Sequence, residues 1–116
     1  MEGYLFEMAQ VGRINDRYAI CIFDDEGPVP HLHILDIQTK GNEFNCCVRL
    51  DEPEYFRHGK KKDKLNSRLK KEFILFMMET NKEFEISNYD VIVKLWNTNN
   101  PSFRIDPNMP DYNKLR

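Results

Sequence analysis

His31 and His33 are the residues whose type and spacing most suggest a chemical role, because both carry an imidazole and they are two residues apart. In a β-strand, side chains two residues apart share a face and lie roughly 6–7 Å apart. Two imidazoles so placed can converge on one metal ion, to which Asp24, Asp25 or His58 would add a further ligand. The alternative is that both histidines are half-exposed and hydrogen-bond to the acidic turn before them, because a His-x-His pair supplies only two of the three or four ligands that a site needs. We therefore predict no cofactor and no metal, with His31 and His33 as the candidates if a metal does bind.

An acidic turn, Asp24–Glu26, precedes the histidine pair in the sequence. Neighbouring carboxylates can act as a general base, so the catalytic candidates are His31, His33, Asp24 and Asp25. A charged turn between two strands is the commoner reason for such a run. The chain has no glycine-rich phosphate loop, no paired Cys-x-x-Cys pattern and no nucleophile elbow. The sequence leaves the question of enzymatic activity open and favours a protein that is not an enzyme.

A basic block at residues 57–71 holds eight of the 17 basic residues of the chain and one acidic residue, Asp63. Such a run is typical of a patch that contacts nucleic acid, and also of a solvated loop. The net charge of the whole chain is −2, which argues against bulk attraction to nucleic acid or to an anionic membrane. We predict that a protein partner or a nucleic acid contacts the basic side chains Lys60, Lys61, Lys62, Lys64, Arg68 and Lys71.

Length and composition indicate a single small α+β domain over residues 1–116. Apolar residues make up 41% of the chain and charged residues 31%, which is ordinary globular composition. No apolar run approaches the length that spans a membrane, and the first residues do not resemble a secretory signal. Cys21, Cys46 and Cys47 lie among β-forming residues and are expected to be reduced side chains that fill strand faces. We therefore expect a cytoplasmic protein with no membrane contact.

The first half of the chain is predicted to form a four-stranded antiparallel meander, because the links between its strands are too short for a crossover helix. Alternation along the third strand puts Leu32 and Ile34 on one face and His31 and His33 on the other. The two histidines are expected to be at least partly exposed. The strands are expected at about residues 4–11, 18–23, 31–37 and 43–50.

The second half is predicted to form one long and one shorter helix that pack on the sheet. The long helix is expected over Leu65–Phe84, with Asp63 as its cap. Its apolar stripe has helical spacing and consists of Leu65, Leu69, Phe73, Phe76 and Met77, widened by Ile74 and Met78.

The shorter helix is expected to begin after Ser87, because Ser87 and Asp90 have the spacing of a capping box. The β-branched run Val91–Val93 leaves a strand as the alternative. Trp96 lies on the helical stripe, where a Trp is usually part of the core. The tail from about residue 101 is expected to be mostly irregular.

The residues from Ile22 to His33 contain a strand, an acidic turn and the run Pro-Val-Pro-His-Leu-His, and Trp96 ends a later helical stripe. In this order, from Tyr18 to about Ile105, the chain resembles a small bacterial domain family of unknown function, whose hallmark is a strand, an acidic turn and Pro-Pro-His-Phe-His. The chain departs from that pattern by Leu32 in place of the aromatic residue, by a longer strand-to-helix link and by the basic block. The resemblance implies a short α+β protein, often encoded beside a small DNA-binding partner and proposed to act in toxin–antitoxin pairs. It supplies no reaction.

The favoured interpretation is a small non-enzymatic binding protein that acts on a protein or nucleic-acid partner in a toxin–antitoxin, phage or defence-type module. One alternative is a nucleic-acid-directed toxin or nuclease that uses His31, His33 and the acidic turn. Another is a structural subunit of a larger assembly. Two convergent, perturbed histidines would favour the nuclease, whereas a large exposed apolar patch would favour one of the other two interpretations.

Overall fold

A computed structural model describes residues 8–23, 27–57 and 63–116. Within these residues the chain forms one antiparallel sheet whose strands lie in chain order, followed by two α-helices. The predicted α+β fold with a four-stranded meander is therefore confirmed. The elements are β1 (Met8–Ile14), β2 (Tyr18–Phe23), β3 (His31–Asp36), β4 (Asn45–Arg49), α1 (Ser67–Met78) and α2 (Asn88–Asn99). Several candidate site residues lie outside the described residues, namely Asp24, Asp25, His58, Lys60, Lys61 and Lys62.

Turn chemistry and one close contact explain how the sheet is shaped. The link from β1 to β2 is tight, and Asn15 and Asp16 both adopt positive φ there, which these two residue types tolerate better than others. Gly12 stands beside an irregularity in the pairing of β1 with β2. A Cβ at Gly12 would lie 2.7 Å from the ring of Phe76, so the missing side chain lets α1 approach the sheet.

The main core lies between one face of the sheet and the two helices described above. Leu32 and Ile34 point into this core from β3, as their alternation predicts. From α1, the expected core residues Leu69, Phe73 and Met77 are buried, which confirms the inward stripe. Phe76 was expected to be buried too, but it is only partly buried at the margin of the core.

The first helix is shorter than the sequence suggested, so that α1 and α2 are each twelve residues long. Asn66 caps α1 by accepting a hydrogen bond from Leu69 N at 2.8 Å. Asp63, the expected cap, instead accepts a hydrogen bond from Asn45 N on β4. At the other end, the side chain of Asn81 accepts hydrogen bonds from backbone amides of the following turn. An Asn that binds nearby amides competes with helix formation, so the helix ends at Met78 and not at Phe84.

The second helix and the tail follow the sequence more closely. Ser87 caps α2 by accepting a hydrogen bond from Asp90 N, and Val91–Val93 is helical, not extended. The tail after residue 100 is irregular apart from two short 3-10 turns. It is nevertheless packed on the domain, because Tyr112 and Leu115 are buried in the core. Within the described ranges, no helix combines the length and the apolar character that crossing a membrane requires.

Candidate functional site

His31 and His33 lie on the side of β3 that does not carry the core residues Leu32 and Ile34. Their ring centroids are 5.0 Å apart, so the expectation that they share a face is confirmed. The register of the sheet places His33 between two cysteines, with Cys21 opposite it on β2 and Cys47 opposite it on β4. The two histidines therefore face a sulfur-rich part of the sheet.

Both histidines are buried, and the expectation that they are partly exposed is wrong. His31 and His33 each retain 1% of their accessible surface. The ring of Phe23 stands 4.6 Å from that of His33, and the ring of Phe56 stands 4.7 Å from that of His31. Trp96 adds a third aromatic ring, 5.7 Å from His31. The three rings therefore pack around the imidazoles.

Phe56 reaches this position because the segment before it extends the sheet beyond β4. Tyr55 forms an isolated antiparallel bridge with Val48, and Phe56 N donates a hydrogen bond to Cys47 O at 2.9 Å. The sequence analysis did not assign Tyr55 and Phe56 to the site. Two adjacent aromatic residues after a strand were the available signal, since aromatic residues favour sheets.

Cys47 is the third member of a buried cluster with His31 and His33, and the sequence analysis missed this role. Its sulfur atom Sγ lies 3.3 Å from Nδ1 of His33, and Cys47 is 1% exposed. One metal-binding atom from each of the three residues lies within 4.8 Å of the other two. The neighbouring Cys46 points to the main core instead, where burial raises the pKa of its thiol.

The hydrogen bonds of the cluster orient its imidazoles. Nδ1 of His31 lies 2.7 Å from the backbone oxygen of Val29. Because a carbonyl oxygen can only accept, Nδ1 carries a proton, and the neutral ring then has its lone pair on the buried atom Nε2. Nδ1 of His33 faces Asn45 Oδ1 at 3.4 Å as well as the sulfur of Cys47.

Cys21 is a buried neighbour of the cluster. It lies opposite His33 in the register of β2 with β3. Burial raises the pKa of its thiol to about 12. While no metal is bound, a thiol with such a pKa stays protonated near neutral pH, and the thiolate is the form that binds a metal.

Four described cations of the basic block are exposed, and they lie at two places. Lys64 and Arg57 line an open cleft of about 430 Å³ together with Lys114 and Arg116. The last two were not expected there, because it is the packing of the tail that brings them beside Arg57 and Lys64. Nζ of Lys64 also lies 5.8 Å from the ring centroid of Tyr55.

The outer face of α1 carries two further described members of the block, followed by two apolar side chains, whereas Lys70 of α1 donates hydrogen bonds to Asn113 O and Leu115 O in the tail. Arg68 and Lys71 are exposed. One and two turns further along the same face come Leu75 and Met78, which are 64% and 63% exposed. Met78 was expected to widen the buried stripe, but the face opposite Leu69, Phe73 and Met77 has no described element packed on it that buries it.

Comparisons with known proteins were made at the level of sequence and of structure. No protein-family model, no curated protein and no solved structure matches this chain. The resemblance over residues 18–105 stays a prediction.

Proposed function

We propose that this protein is a binding protein that docks a protein partner through the outer face of α1, as part of a cytoplasmic toxin–antitoxin, phage or defence-type module. The observation that carries the proposal is the exposure of Leu75 and Met78, at 64% and 63%. Single exposed apolar residues are normal on protein surfaces. These two are three residues apart on one helix, where side chains are neighbours, so they form one continuous apolar patch.

A partner that covers the patch would gain binding free energy from the burial of apolar surface. Fully burying a Leu or a Met side chain is worth about 1.5–3 kcal/mol each. Two such side chains at the centre of an interface can act as anchors, around which polar contacts exclude water. Since Leu75 and Met78 are 64% and 63% exposed, the patch can contribute at most that part of a binding free energy, and a partner needs additional contacts.

The charges beside the patch indicate what kind of partner fits. Arg68 and Lys71 precede Leu75 and Met78 on the same exposed face. A partner with an apolar surface next to an acidic one matches this order of side chains, as when an amphipathic helix lies in a groove. Exposed cations at the rim of such an interface steer association more than they hold the complex together.

The nuclease alternative receives no support from the geometry of the described residues. His31 and His33 are 1% exposed, whereas a general acid or base must reach within hydrogen-bond distance of its substrate. Nucleic-acid binding without cleavage has one supporting observation, the four cations that line the cleft beside Tyr55. This second candidate is separable by experiment, because the cleft and the outer face of α1 can be changed independently.

The test is selection of peptides from a phage-displayed random library on the wild-type protein. The selected peptides are then measured against the double variant Leu75→Glu with Met78→Glu. The matched control is Phe84→Glu with Phe103→Glu, which also replaces two exposed apolar side chains by carboxylates, outside α1. We expect peptides rich in apolar and acidic residues that lose at least about tenfold in affinity on the α1 variant and keep it on the control.

Two results would contradict the proposal. One is a set of peptides whose affinity is equal for the α1 variant and the control. The other is tight binding of duplex DNA that depends on Lys64, Lys114 and Arg116, without any peptide that depends on Leu75. In that case log affinity should fall linearly with log salt, with a slope of about −0.9 for each phosphate contacted, and the protein would be a nucleic-acid-binding protein.

A further inference from the structure

We propose that His31, His33 and Cys47 form a binding site for one transition-metal ion, with Zn²⁺ as the expected occupant. The proposal stands on the convergence of two imidazoles and one thiol, whose metal-binding atoms all lie within 4.8 Å of one another. Imidazole and thiolate are the ligands that Zn²⁺ and copper ions prefer in proteins. This site is separate from the outer face of α1 and goes beyond the proposed partner binding.

The distances are close to those that a bound ion requires. In a tetrahedral zinc site, Zn–N is about 2.0–2.1 Å and Zn–S about 2.3 Å, so that a nitrogen and a sulfur ligand are about 3.5 Å apart. Nδ1 of His33 and Sγ of Cys47 are 3.3 Å apart. The remaining separations are at most 4.8 Å, which is at most about 1.3 Å above the value of a tetrahedral site, and small side-chain rotations can close the difference. Ligation through Nδ1 requires the His33 tautomer with its proton on Nε2, which gives up the 3.4 Å contact of Nδ1 with Asn45 Oδ1.

The tautomer of His31 suits a metal ligand. Metal-binding histidines almost always donate the second ring N–H to a carboxylate, a water or a backbone carbonyl, which fixes the ring and directs the other nitrogen to the ion. Nδ1 of His31 makes such a contact with Val29 O at 2.7 Å. The lone pair of His31 is therefore on Nε2, an atom that is itself fully buried.

The elements that carry the three ligands are held firmly against each other. His33 and Cys47 are a directly opposed pair of β3 and β4, and His31 is two residues away on the same strand face. The rings of Phe23 and Phe56 pack on the two imidazoles. Backbone pairing and packed aromatic rings limit the movement of ligands, as a preorganised metal site requires. Three protein ligands leave one tetrahedral position for water or another small ligand.

The competing explanation is a buried hydrogen-bonded pair of His33 and Cys47 that never binds metal. Cobalt distinguishes the two explanations, because Co²⁺ bound to a thiolate absorbs visible light by charge transfer from sulfur to metal. The full chain, purified without a histidine tag and stripped with a chelator, is titrated with Co²⁺ and then with Zn²⁺. We expect one equivalent of Co²⁺ to produce the sulfur charge-transfer band and one equivalent of Zn²⁺ to abolish it.

The variants locate the site on the three residues. Cys47→Ser should remove the charge-transfer band, while Cys46→Ala, the adjacent cysteine that points to the main core, should retain it. His31→Gln and His33→Gln should each weaken Co²⁺ binding by more than about tenfold. Even the loss of a residue that only hydrogen-bonds to a ligand can weaken metal binding this much. Circular dichroism checks that each variant is folded, and the wild-type titration stands even if one of them is not.

The outcomes that overturn the proposal are equally definite. Absence of a sulfur charge-transfer band in the wild type means that the cluster is a hydrogen-bonded pair without metal. A band that survives Cys47→Ser, or that Cys46→Ala removes, places the thiolate ligand elsewhere. A Co²⁺ charge-transfer band that depends on Cys47 but that excess Zn²⁺ does not abolish keeps the site and overturns zinc as its ion.

Discussion

Two regions of the molecule depart from the rule that polar side chains are exposed and apolar ones are buried. They are the buried cluster of β3 and β4 and the outer face of α1. His31, His33 and Cys47 place metal-binding atoms in the interior of the domain. Leu75 and Met78 place apolar side chains in water. Buried polar groups and exposed apolar patches are the informative exceptions in a folded protein. The contrast is the basis of our two proposals for this small domain. The buried cluster binds a metal ion, and the outer face of α1 docks a protein partner.

Burial of a polar group on β3 does not by itself indicate a site for an external ion. Asp36 is also buried, but its partners come from the same chain. Its carboxylate accepts hydrogen bonds from Arg17 Nη2 at 3.4 Å and from Gln38 N at 3.1 Å. The feature that separates the histidine cluster from Asp36 is the convergence of three ligand atoms of metal-binding type.

The largest expected effect comes from the inward face of α1 and sets the scale for the comparison. Phe73 is fully buried, whereas Leu75, two residues later, is exposed. We expect Phe73→Ala to lower the free energy of unfolding by about 3–5 kcal/mol, because it empties a large core position. Leu75→Ala should change it by less than about 0.5 kcal/mol. Denaturation in urea measures both, and equal losses would contradict the orientation of α1.

The next effect belongs to the buried cluster. A ligand that binds only the folded state stabilises it by about 2.7 kcal/mol at a concentration one hundred times its dissociation constant. Zn²⁺ in this excess should therefore raise the melting temperature by roughly 10 °C. Since the ligands must lose their protons to bind, the gain should shrink as the pH is lowered. An equal gain in Cys47→Ser would contradict binding at this cluster.

Asp36 should show a smaller effect, visible as a dependence of stability on pH. Burial alone would raise the pKa of this carboxyl, but hydrogen bonds from Arg17 and from the amide of Gln38 outweigh it and hold the pKa below its ordinary value of 3.8. The resulting stability is present above that value and is lost as the pH falls through the lowered folded pKa. Asp36→Asn should be less stable near neutral pH, with a flatter acid limb. Melting curves between about pH 2 and 6 measure this difference, and parallel limbs in both proteins would contradict it.

The smallest effect is expected on the outer face of α1. Leu75→Glu with Met78→Glu should change the free energy of unfolding by less than about 0.5 kcal/mol, because surface substitutions without partners have little effect. Urea denaturation of the isolated protein is the measurement, with Phe84→Glu and Phe103→Glu as the control pair. A loss above 2 kcal/mol, on the order of a core substitution, would show that the patch is packed within the domain.

The sequence predicted what depends on local pattern and short connections. Alternation assigned Leu32 and Ile34 to the core and the two histidines to one common face, and the Ser87 cap located the start of α2. The sequence pattern could not predict Cys47 as a neighbour of the two histidines, because this contact depends on the register between β3 and β4. It also missed the cover by Phe56, since alternation describes a strand and not what packs upon it.

Contacts between distant segments account for the remaining differences. Asn81 ends α1 early through hydrogen bonds to its own turn, which the apolar stripe does not encode. Tyr112 donates a hydrogen bond to Arg49 O at 2.6 Å across 63 residues, and this contact holds the tail on the domain. The cleft with Lys114 and Arg116 depends on the packing of the tail, which Lys70 also supports through hydrogen bonds to Asn113 O and Leu115 O.

X-ray absorption at the zinc edge tests the buried metal site most directly. The protein is loaded with one equivalent of Zn²⁺, and the distances from the ion to its ligands are measured. We expect one sulfur at about 2.3 Å and two imidazole nitrogens at about 2.0–2.1 Å, the set that His31, His33 and Cys47 supply. A first shell of oxygen and nitrogen without sulfur would contradict the account, because it would place the ion away from Cys47.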